Sequence, residues 1–270
     1  MTKEWTNEAA IRQWNSTASR AALAATADEG DFAKRHLVNE HVFRLLGNVA
    51  GQRILDAGCG NGYLSRMLAD RGATVVGVEP TDAMVSFARD HEADEPRGVE
   101  YIQADLSRPS DLGGFDAVVC SMVLMAVPDW KPAMRTCVAA AKPGGTFVFT
   151  LVHPAFEQLA AGWREHGRYR VDRYLEEYEL VGPAASDFHR PLSAYLNEVA
   201  ALGCRIREVV EPGLAPDIVE SRPELEYLSR LPNFLLVAVE TPPQDTRDWH
   251  DPRPGKPPLY ALVSARLRGS

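Results

Sequence analysis

A glycine-rich turn is the part of the sequence whose residue types and spacing most clearly suggest chemistry. Gly58, Gly60 and Gly62 follow an apolar run that ends at Asp56, and a helical pattern begins at Tyr63. Glycines at these positions allow left-handed backbone and let a ligand approach the main chain, while the start of the helix favours a carboxylate or a phosphate. We therefore predict that a small anionic group binds here. A tight strand-to-helix connection that binds nothing is the alternative.

Two acidic residues stand where the next two strand-like runs end. Glu79 closes the run Thr74–Val78, and Asp105 follows the run Val99–Gln103. The carboxyl ends of parallel strands meet at one edge of a sheet, so both carboxylates are predicted to lie beside the glycine turn. There, Glu79 can accept two hydrogen bonds from ribose hydroxyls, and Asp105 can accept one from an adenine amino group. A solvated loop residue or a helix cap is the alternative for each acid.

The elements that must position these residues are short β-branched runs that alternate with longer helical patterns, from residue 51 to about residue 240. Several runs are apolar without alternation, which is typical of strands buried on both faces of a parallel sheet. This βαβ series predicts an α/β fold with a doubly wound sheet. The predicted strands are Arg53–Ala57, Thr74–Val78, Val99–Gln103, Phe115–Cys120, Thr146–Val152, Arg205–Val210 and Phe234–Glu240. The predicted helices include Tyr63–Asp70, Ala83–Asp90, Pro132–Ala141 and Leu192–Leu202.

Three segments lie outside this series. Residues 1–50 are predicted to form a helical cap, and residues 154–191 interrupt the alternation after the fifth strand. Six prolines fall within residues 241–258, so 241–270 is predicted to be a proline-rich tail. Within that tail, Leu259–Leu267 is expected to form one short extra strand or edge segment.

These boundaries predict a single domain over residues 1–270. Its ligand-binding core is assigned to residues 51–153 and 192–240. The remaining segments are too fragmented to form a second domain with its own core. We therefore expect them to select the substrate.

Composition argues against several classes of partner. Lys and Arg number 29 against 37 Asp and Glu, and a formal net charge of −8 disfavours nucleic acid as a partner. No run approaches the roughly 20 apolar residues that span a bilayer. The amino terminus also lacks the apolar core of a signal peptide, so a cytoplasmic protein without a membrane partner is predicted. The cysteines and acidic residues form no cluster typical of a metal site or a disulfide framework, so no metal is predicted.

Five short motifs occur in an order and spacing that belong together. They are Asp56-Ala57-Gly58-Cys59-Gly60-Asn61-Gly62, Val78-Glu79-Pro80, Ala104-Asp105-Leu106, Phe115-Asp116-Ala117-Val118-Val119-Cys120-Ser121 and Lys142-Pro143-Gly144-Gly145. In the order and spacing of these motifs, the chain resembles the class I S-adenosylmethionine-dependent methyltransferases over about residues 30–240. The resemblance implies S-adenosylmethionine as cofactor and S-adenosylhomocysteine as product. It also implies a Rossmann-like, mostly parallel sheet of seven strands, in which Phe234–Glu240 is antiparallel to the sixth strand.

The resemblance assigns the first two motifs to the methionine and ribose parts of the cofactor. It implies that Asp56, Gly58 and Gly60 contact the methionine moiety. It implies that Glu79, followed by Pro80, binds the ribose. The other two members of the glycine turn that count as cofactor-binding are Gly62 and Cys59, the latter as a small packing residue without a catalytic role.

The same resemblance assigns the adenine and the middle of the cofactor to later positions. Asp105 and Leu106 would flank the adenine, and Ser121 and Met122 would face the middle of the cofactor. Met84, one turn into the helix after the second strand, would pack on the adenine face. A core methionine is the alternative interpretation of Met84.

Two histidines are candidates for catalysis. His153 directly follows the fifth strand, at the edge where ligands bind in open α/β sheets, and Pro154 favours an extended backbone there. It is predicted to orient or deprotonate an acceptor, with a structural hydrogen bond as the alternative. His189 and the adjacent Arg190 precede the sixth-strand helix and are predicted to contact substrate. Capping of that helix near Pro191 is the alternative.

Two segments are predicted to cover the site. The resemblance implies that the amino-terminal extension folds over the cofactor, which would bring Asp31, Arg35 or His36 to the site, although a solvated helix face explains them too. The insertion is richer in aromatic residues than the whole chain, which predicts a lid over an apolar or aromatic acceptor. A small satellite core is the alternative. The aromatic residues are Phe156, Trp163, Tyr169, Tyr174, Tyr178 and Phe188.

These features predict in-line methyl transfer to a hydroxyl or amine of a small, fairly apolar or aromatic metabolite by a monomer or homodimer. Carbon methylation stays open, as does a non-catalytic S-adenosylmethionine-binding module. Nucleic-acid methylation is disfavoured because the fourth strand ends Cys120-Ser121-Met122-Val123, without the Asn/Asp-Pro-Pro-Tyr/Phe signature of many base-amino methylases. An NAD-dependent oxidoreductase is disfavoured because the turn reads GxGxG rather than GxGxxG.

Overall fold

The computed structural model describes residues 5–108, 110–182 and 185–243. The predicted strand Leu259–Leu267 and the tail from residue 244 onward lie outside these ranges. Within the described ranges, no helix is both long and apolar enough to cross a membrane.

The described residues form one large sheet and one hairpin. The strands are β1 (Arg53–Ala57), β2 (Thr74–Glu79), β3 (Glu100–Gln103), β4 (Phe115–Ser121), β5 (Ala141–Val152), β6 (Tyr178–Val181), β7 (Ser186–His189), β8 (Arg205–Val210) and β9 (Phe234–Glu240). The large sheet has seven strands in the order β3-β2-β1-β4-β5-β9-β8. Its first five strands pair in parallel, and β9 is antiparallel to both β5 and β8. The predicted doubly wound, mostly parallel α/β fold is confirmed.

Helices pack on both faces of this sheet, and nine α-helices occur among the described residues. They are α1 (Asn7–Thr17), α2 (Arg20–Ala24), α3 (Asn39–Leu46), α4 (Tyr63–Ala69), α5 (Asp82–Asp94), α6 (Trp130–Ala140), α7 (Leu159–His166), α8 (Leu192–Ala201) and α9 (Pro216–Ser221). A π-helical turn, Lys34–Val38, leads into α3. The insertion after β5 contains α7 and the separate hairpin of β6 and β7.

The central strands bury both of their faces, which explains their apolar runs without alternation. Ile54 of β1 packs on one side, in a cluster that includes side chains of α3 and α4. Its neighbour Leu55 packs on the other side, with side chains of α6 and α8. Because successive side chains of a strand point to opposite faces, both layers need apolar residues at consecutive positions.

The predicted strand bounds agree with the observed ones to within one residue, except at the start of β5. That strand begins at Ala141 rather than Thr146, because Ala141 pairs with Phe115 before a register shift restores regular pairing at Thr146. The Lys142-Pro143-Gly144-Gly145 motif, which has loop composition, therefore lies inside the strand. Glycine and proline at this position mark the irregularity rather than the end of pairing.

Candidate active site

A cleft of about 240 Å³ opens at the carboxyl edge of the sheet. It lies where β1 and β4 are neighbours and the strand order reverses, the position at which ligands bind in open α/β sheets. Most of the residues predicted to bind a cofactor line this cleft. They are Gly58, Cys59, Gly60, Glu79, Pro80, Met84, Asp105, Leu106, Ser121 and Met122.

The glycine turn is held by the neighbouring strand and leaves its own backbone open to the cleft. The N–H groups of Gly58 and Cys59 both donate to the Val78 carbonyl, at 2.7 and 3.0 Å. Gly60 has left-handed backbone (φ +56°), and a Cβ there would have only the Met84 sulfur within reach, at 3.9 Å. The main chain at Gly60 is therefore accessible to a ligand. Gly62 is outside the cleft lining and is instead the N-cap residue of α4.

Glu79 is a buried carboxylate aimed at this turn. One of its oxygens accepts a hydrogen bond from the Gly60 N–H at 3.1 Å, and the other accepts from the Thr81 N–H at 2.9 Å. Burial raises the pKa of Glu79, and the hydrogen bonds from Thr81 and Gly60 oppose that rise. A carboxylate oxygen can accept more than one hydrogen bond. Each oxygen of Glu79 can therefore still accept a hydrogen bond from a ligand hydroxyl in the cleft.

Two further predicted residues, Asp105 and Met84, also lie in the cleft lining. Asp105 follows β3 and accepts a hydrogen bond from the Ser107 N–H at 2.9 Å. Met84 lines the cleft and also packs against a small cluster that includes Leu23 and Phe87. Both interpretations of Met84 are thus compatible with its position.

The loop after β4 carries an unusual backbone conformation. Met122 has φ +62°, a left-handed value that a non-glycine residue rarely adopts. Its N–H is held by Thr150 of β5, at 3.1 Å from the carbonyl and 3.0 Å from the hydroxyl oxygen. The Ser121 hydroxyl lies 3.1 Å from that same Thr150 hydroxyl. Strain of this kind persists where the surroundings fix it, and here it directs residues 121–123 into the cleft.

Asp56 lies behind the turn rather than in the cleft lining. Its carboxyl is 2% exposed and accepts a 2.6 Å hydrogen bond from the Ser65 hydroxyl of α4. Burial raises the pKa of Asp56 to about 7, against the lowering effect of the Ser65 hydrogen bond. The observed contacts tie β1 to the first turn of α4, which favours a role in shaping the glycine turn.

This raised pKa has a consequence for stability. The folded protein keeps the Asp56 proton up to about pH 7, whereas an unshifted Asp releases it near pH 3.8, so the folded state binds more protons in this window. The free energy of unfolding therefore decreases through this group as the pH rises from about 4 to about 7. We expect Asp56→Asn, which resembles the protonated carboxyl, to gain about 2 kcal/mol over wild type between pH 5 and pH 8 in urea unfolding. An equal difference between the two proteins at both pH values would contradict this, and Asp70→Asn serves as the exposed control.

His153 does not line the cleft. The ring is buried, its Nδ1 accepts a hydrogen bond from the Ala155 N–H at 3.1 Å, and its Nε2 lies 2.8 Å from a carboxylate oxygen of Glu211. Nδ1 is therefore the acceptor and Nε2–H the donor to Glu211. This arrangement favours the structural alternative, in which His153 closes the loop after β5, over the predicted role as a base.

His189 also lies outside this cleft, and both of its ring nitrogens are within hydrogen-bond distance of an oxygen atom. Its Nδ1 is 2.6 Å from Glu157 and its Nε2 is 2.9 Å from the Tyr174 carbonyl. Burial lowers the pKa of His189, but the hydrogen bonds to Glu157 and Tyr174 outweigh this and leave it raised. The His189 ring therefore ties together two parts of the insertion, at Glu157 and Tyr174. It lines a separate groove within the insertion, beside Tyr169 and Tyr178.

Arg190 connects the insertion to the cleft indirectly. The guanidinium is 2% exposed and donates to the carbonyls of Leu124, Val127 and Pro128, at 3.2, 3.0 and 3.1 Å. Val127 and Pro128 line the cleft, so Arg190 supports one wall without contacting a ligand itself. No described residue of the insertion lines the cleft, and its function as a lid stays a prediction.

The amino-terminal segment does cover the cleft, but through residues that the sequence reasoning did not name. The predicted residues Asp31, Arg35 and His36 are not part of the lining. Asp31 accepts a hydrogen bond from the Lys34 N–H at 2.9 Å, and Lys34 itself lines the cleft. One face of α1 also lines it. That face is Asn7, Ala10, Ile11 and Trp14. The spacing i, i+3, i+4, i+7 is a signal that could have identified this face from the sequence.

Comparisons with known proteins agree with this geometry. A family profile described as a methyltransferase domain matches residues 55–149. The ubiquinone biosynthesis O-methyltransferase of Idiomarina loihiensis is 30% identical over 168 residues, which are 57% of this chain and 69% of that protein. The protein of the same name from Bordetella avium is 34% identical over 141 residues, or 49% and 58% of the two chains.

A solved structure extends the similarity to most of the fold. The S-adenosylmethionine-dependent methyltransferase from Mesorhizobium loti is 33% identical, with a TM-score of 0.65 over 74% of this chain and 96% of that one. The chain therefore belongs to the class I S-adenosylmethionine-dependent methyltransferases.

Proposed function

We propose that this enzyme transfers the methyl group of S-adenosylmethionine to a hydroxyl oxygen of a small, largely apolar or aromatic molecule. The observation that carries this proposal is the apolar half of the cleft. Ile11 and Trp14 of α1 line the cleft together with Val123 and Val127 of the loop after β4 and the strained Met122. Aromatic and aliphatic side chains in a concave site favour an apolar ligand. The relatives named for O-methylation in ubiquinone biosynthesis support a hydroxyl acceptor.

The other half of the cleft suits the cofactor. Glu79 would bind the ribose hydroxyls, the backbone at Gly60 would approach the methionine moiety, and Asp105 would accept from the adenine amino group. The Lys34 ammonium, 3.6 Å from Asp31 and half-buried, would pair with the carboxylate of the methionine moiety. When bound, S-adenosylmethionine supplies an electrophilic methyl carbon on a sulfonium that leaves as a neutral thioether.

The residues of the chain would promote transfer by positioning and by excluding water. Thr150 holds Ser121 and Met122 by hydrogen bonds, so this wall would be rigid where the two ligands meet. Holding the acceptor oxygen in line with the methyl group makes the displacement effectively intramolecular. The oxygen–methyl bond would form as the sulfur–methyl bond breaks, and the proton of the acceptor hydroxyl would pass to bulk solvent. Apolar walls from α1 and the β4 loop keep water from competing as the nucleophile. His153 has no part in this proposal, because both of its ring nitrogens are already hydrogen-bonded.

The proposal is tested with acceptors that differ in the reacting atom. We expect methyl transfer to a catechol with a short alkyl chain, weaker or no transfer to the matching aniline, and none to a 1,3-diketone, as followed by mass spectrometry. Trp14→Ala should raise the KM for the alkyl catechol by about 10-fold, because it removes a large apolar wall, with the Kd for S-adenosylmethionine changed less than about threefold. Transfer only to nitrogen or carbon, or an unchanged KM in Trp14→Ala, would contradict the proposal.

A further inference from the structure

Asn7 is the buried polar residue of the helix that roofs the cleft. Within α1, which the structure describes in full, it is the one buried residue, at 4% exposure. The apolar side chains on the same face, among them Ile11 and Trp14, are only half-buried and face the cleft. Asn7 is thus the residue of α1 whose contacts with the body of the protein are removed from solvent.

The Asn7 side chain bridges two loops that form the adenine end of the cleft. Its Oδ1 accepts a hydrogen bond from the Asp129 N–H at 2.9 Å, after β4. Its Nδ2 donates to the Ser107 hydroxyl at 2.5 Å and lies 3.4 and 3.5 Å from the two carboxylate oxygens of Asp105, after β3. A backbone N–H can only donate, so the atom facing Asp129 must be oxygen, and the amide nitrogen must face Asp105 and Ser107.

The Asp105 carboxylate is therefore oriented from several sides. The Ser107 N–H donates to one oxygen at 2.9 Å, and the Arg108 guanidinium lies 3.7 Å from the other. Asn7 covers the carboxylate from the side of α1, and only 14% of the Asp105 side chain is exposed. Arg108 is well exposed and also pairs with Glu8 of α1. Of the two side chains that contact the Asp105 carboxylate, Asn7 is therefore the buried one.

We propose that Asn7 is a positioning residue for the cofactor, whose amide holds the Asp105 carboxylate in the orientation that selects an adenine amino group. The inference rests on the proposed assignment of Asp105 to the adenine. A carboxylate free to rotate pairs less well with a single amino group, because part of the binding free energy is then spent on ordering it. Removing Asn7 should therefore reduce selectivity for adenine more than it reduces binding as such.

The test compares two ligands that differ only at the adenine amino group. S-adenosylhomocysteine carries the amino group, and its 6-desamino analogue, with purine in place of adenine, has a hydrogen atom there that offers no donor to a carboxylate. Calorimetry should show that wild type prefers the adenosyl compound by at least about 10-fold. In Asn7→Leu we expect that ratio to fall to about 2, mostly through weaker binding of the adenosyl compound.

The matched control is Gln13→Leu, because Gln13 also joins α1 to another segment, through Ser186, but lies away from Asp105. This variant should keep the wild-type ratio. Asn7→Ser provides a smaller polar replacement if the leucine variant unfolds, which thermal unfolding would reveal. An unchanged ratio in both Asn7 variants, or an equal loss of affinity for both ligands, would overturn the proposal.

Asp105→Ala separates this proposal from the assignment on which it depends. If Asp105→Ala loses the preference for adenine and the Asn7 variants keep it, the role of Asn7 is wrong and that of Asp105 stands. If Asp105→Ala keeps the preference, Asp105 does not contact the amino group and both assignments fail. Neither result bears on methyl transfer to oxygen, which the acceptor experiment tests separately.

Discussion

Replacing Glu79 with alanine should weaken S-adenosylmethionine binding by about 100-fold, as measured by calorimetry. The carboxylate would accept hydrogen bonds from two ribose hydroxyls, and bonds to a charged group contribute about 1.5–3 kcal/mol each. The same side chain holds the N–H groups of Gly60 and Thr81, so its loss also loosens the backbone on both sides of the ribose. The lost ribose hydrogen bonds and the loosened backbone therefore both weaken cofactor binding.

A suitable control for Glu79→Ala is Glu100→Ala, an exposed carboxylate at the opposite end of the neighbouring strand β3. This variant should bind the cofactor like wild type. Glu79→Gln should also bind weakly, because its amide would place an N–H group against one of the two backbone donors. Wild-type affinity in Glu79→Ala would exclude the ribose assignment.

Gly58→Ala should weaken S-adenosylmethionine binding to a similar degree as Glu79→Ala. It should lower the free energy of unfolding more than Glu79→Ala does. A Cβ at Gly58 would lie 2.4 and 2.8 Å from the two methyl carbons of Val123, too close for any real contact. Its backbone is also left-handed, at φ +80°, which costs a non-glycine residue about 1–2 kcal/mol. Since Val123 lines the cleft, relief of the clash would displace a wall of the site. We expect at least a 30-fold weaker Kd and a loss of about 3 kcal/mol in unfolding free energy.

Two variants separate the clash from the backbone conformation. Gly98 has nearly the same backbone, at φ +78°, but a Cβ there would meet nothing within 4 Å. Gly98→Ala should therefore lose only about 1 kcal/mol and keep wild-type binding. Adding Val123→Ala to Gly58→Ala should restore part of the binding. If Gly98→Ala and Gly58→Ala lose the same stability and both bind normally, the close packing of the turn against Val123 is not important.

The sheet and the cofactor half of the site were predictable because their signals are local. Strands β1 and β9 have the predicted bounds, since apolar runs buried on both faces require no distant partner to be recognised. The edge strand β8 also has them, although its side chains are largely exposed, because its β-branched residues favour a strand. The glycine turn, Glu79 and Asp105 follow from strand ends, and parallel strands bring those ends together in a fixed way. The start of β5 was missed because glycine and proline usually end a strand.

The acceptor half depends on contacts between distant segments, which local patterns do not encode. His153 follows β5 as predicted, but its direction is set by Glu211, a residue 58 positions later. Arg190 reaches the loop after β4 from the end of the insertion. The roof over the cleft is α1, whose few apolar residues give a weak signal until their spacing is compared with a helix. Residue type alone favoured Asp31, Arg35 and His36 instead.

We propose above that the enzyme transfers a methyl group from S-adenosylmethionine, bound in this cleft, to a hydroxyl oxygen of a small apolar molecule. The most direct measurement incubates wild type and Glu79→Ala with a host metabolite extract and cofactor bearing a trideuteromethyl group. Labelled products are then identified by mass spectrometry and NMR. We predict that wild type places the intact label on the oxygen of a small apolar or aromatic compound and that Glu79→Ala does so far more slowly. Label found only on nitrogen, carbon or a macromolecule, or equal labelling by both proteins, would contradict the account.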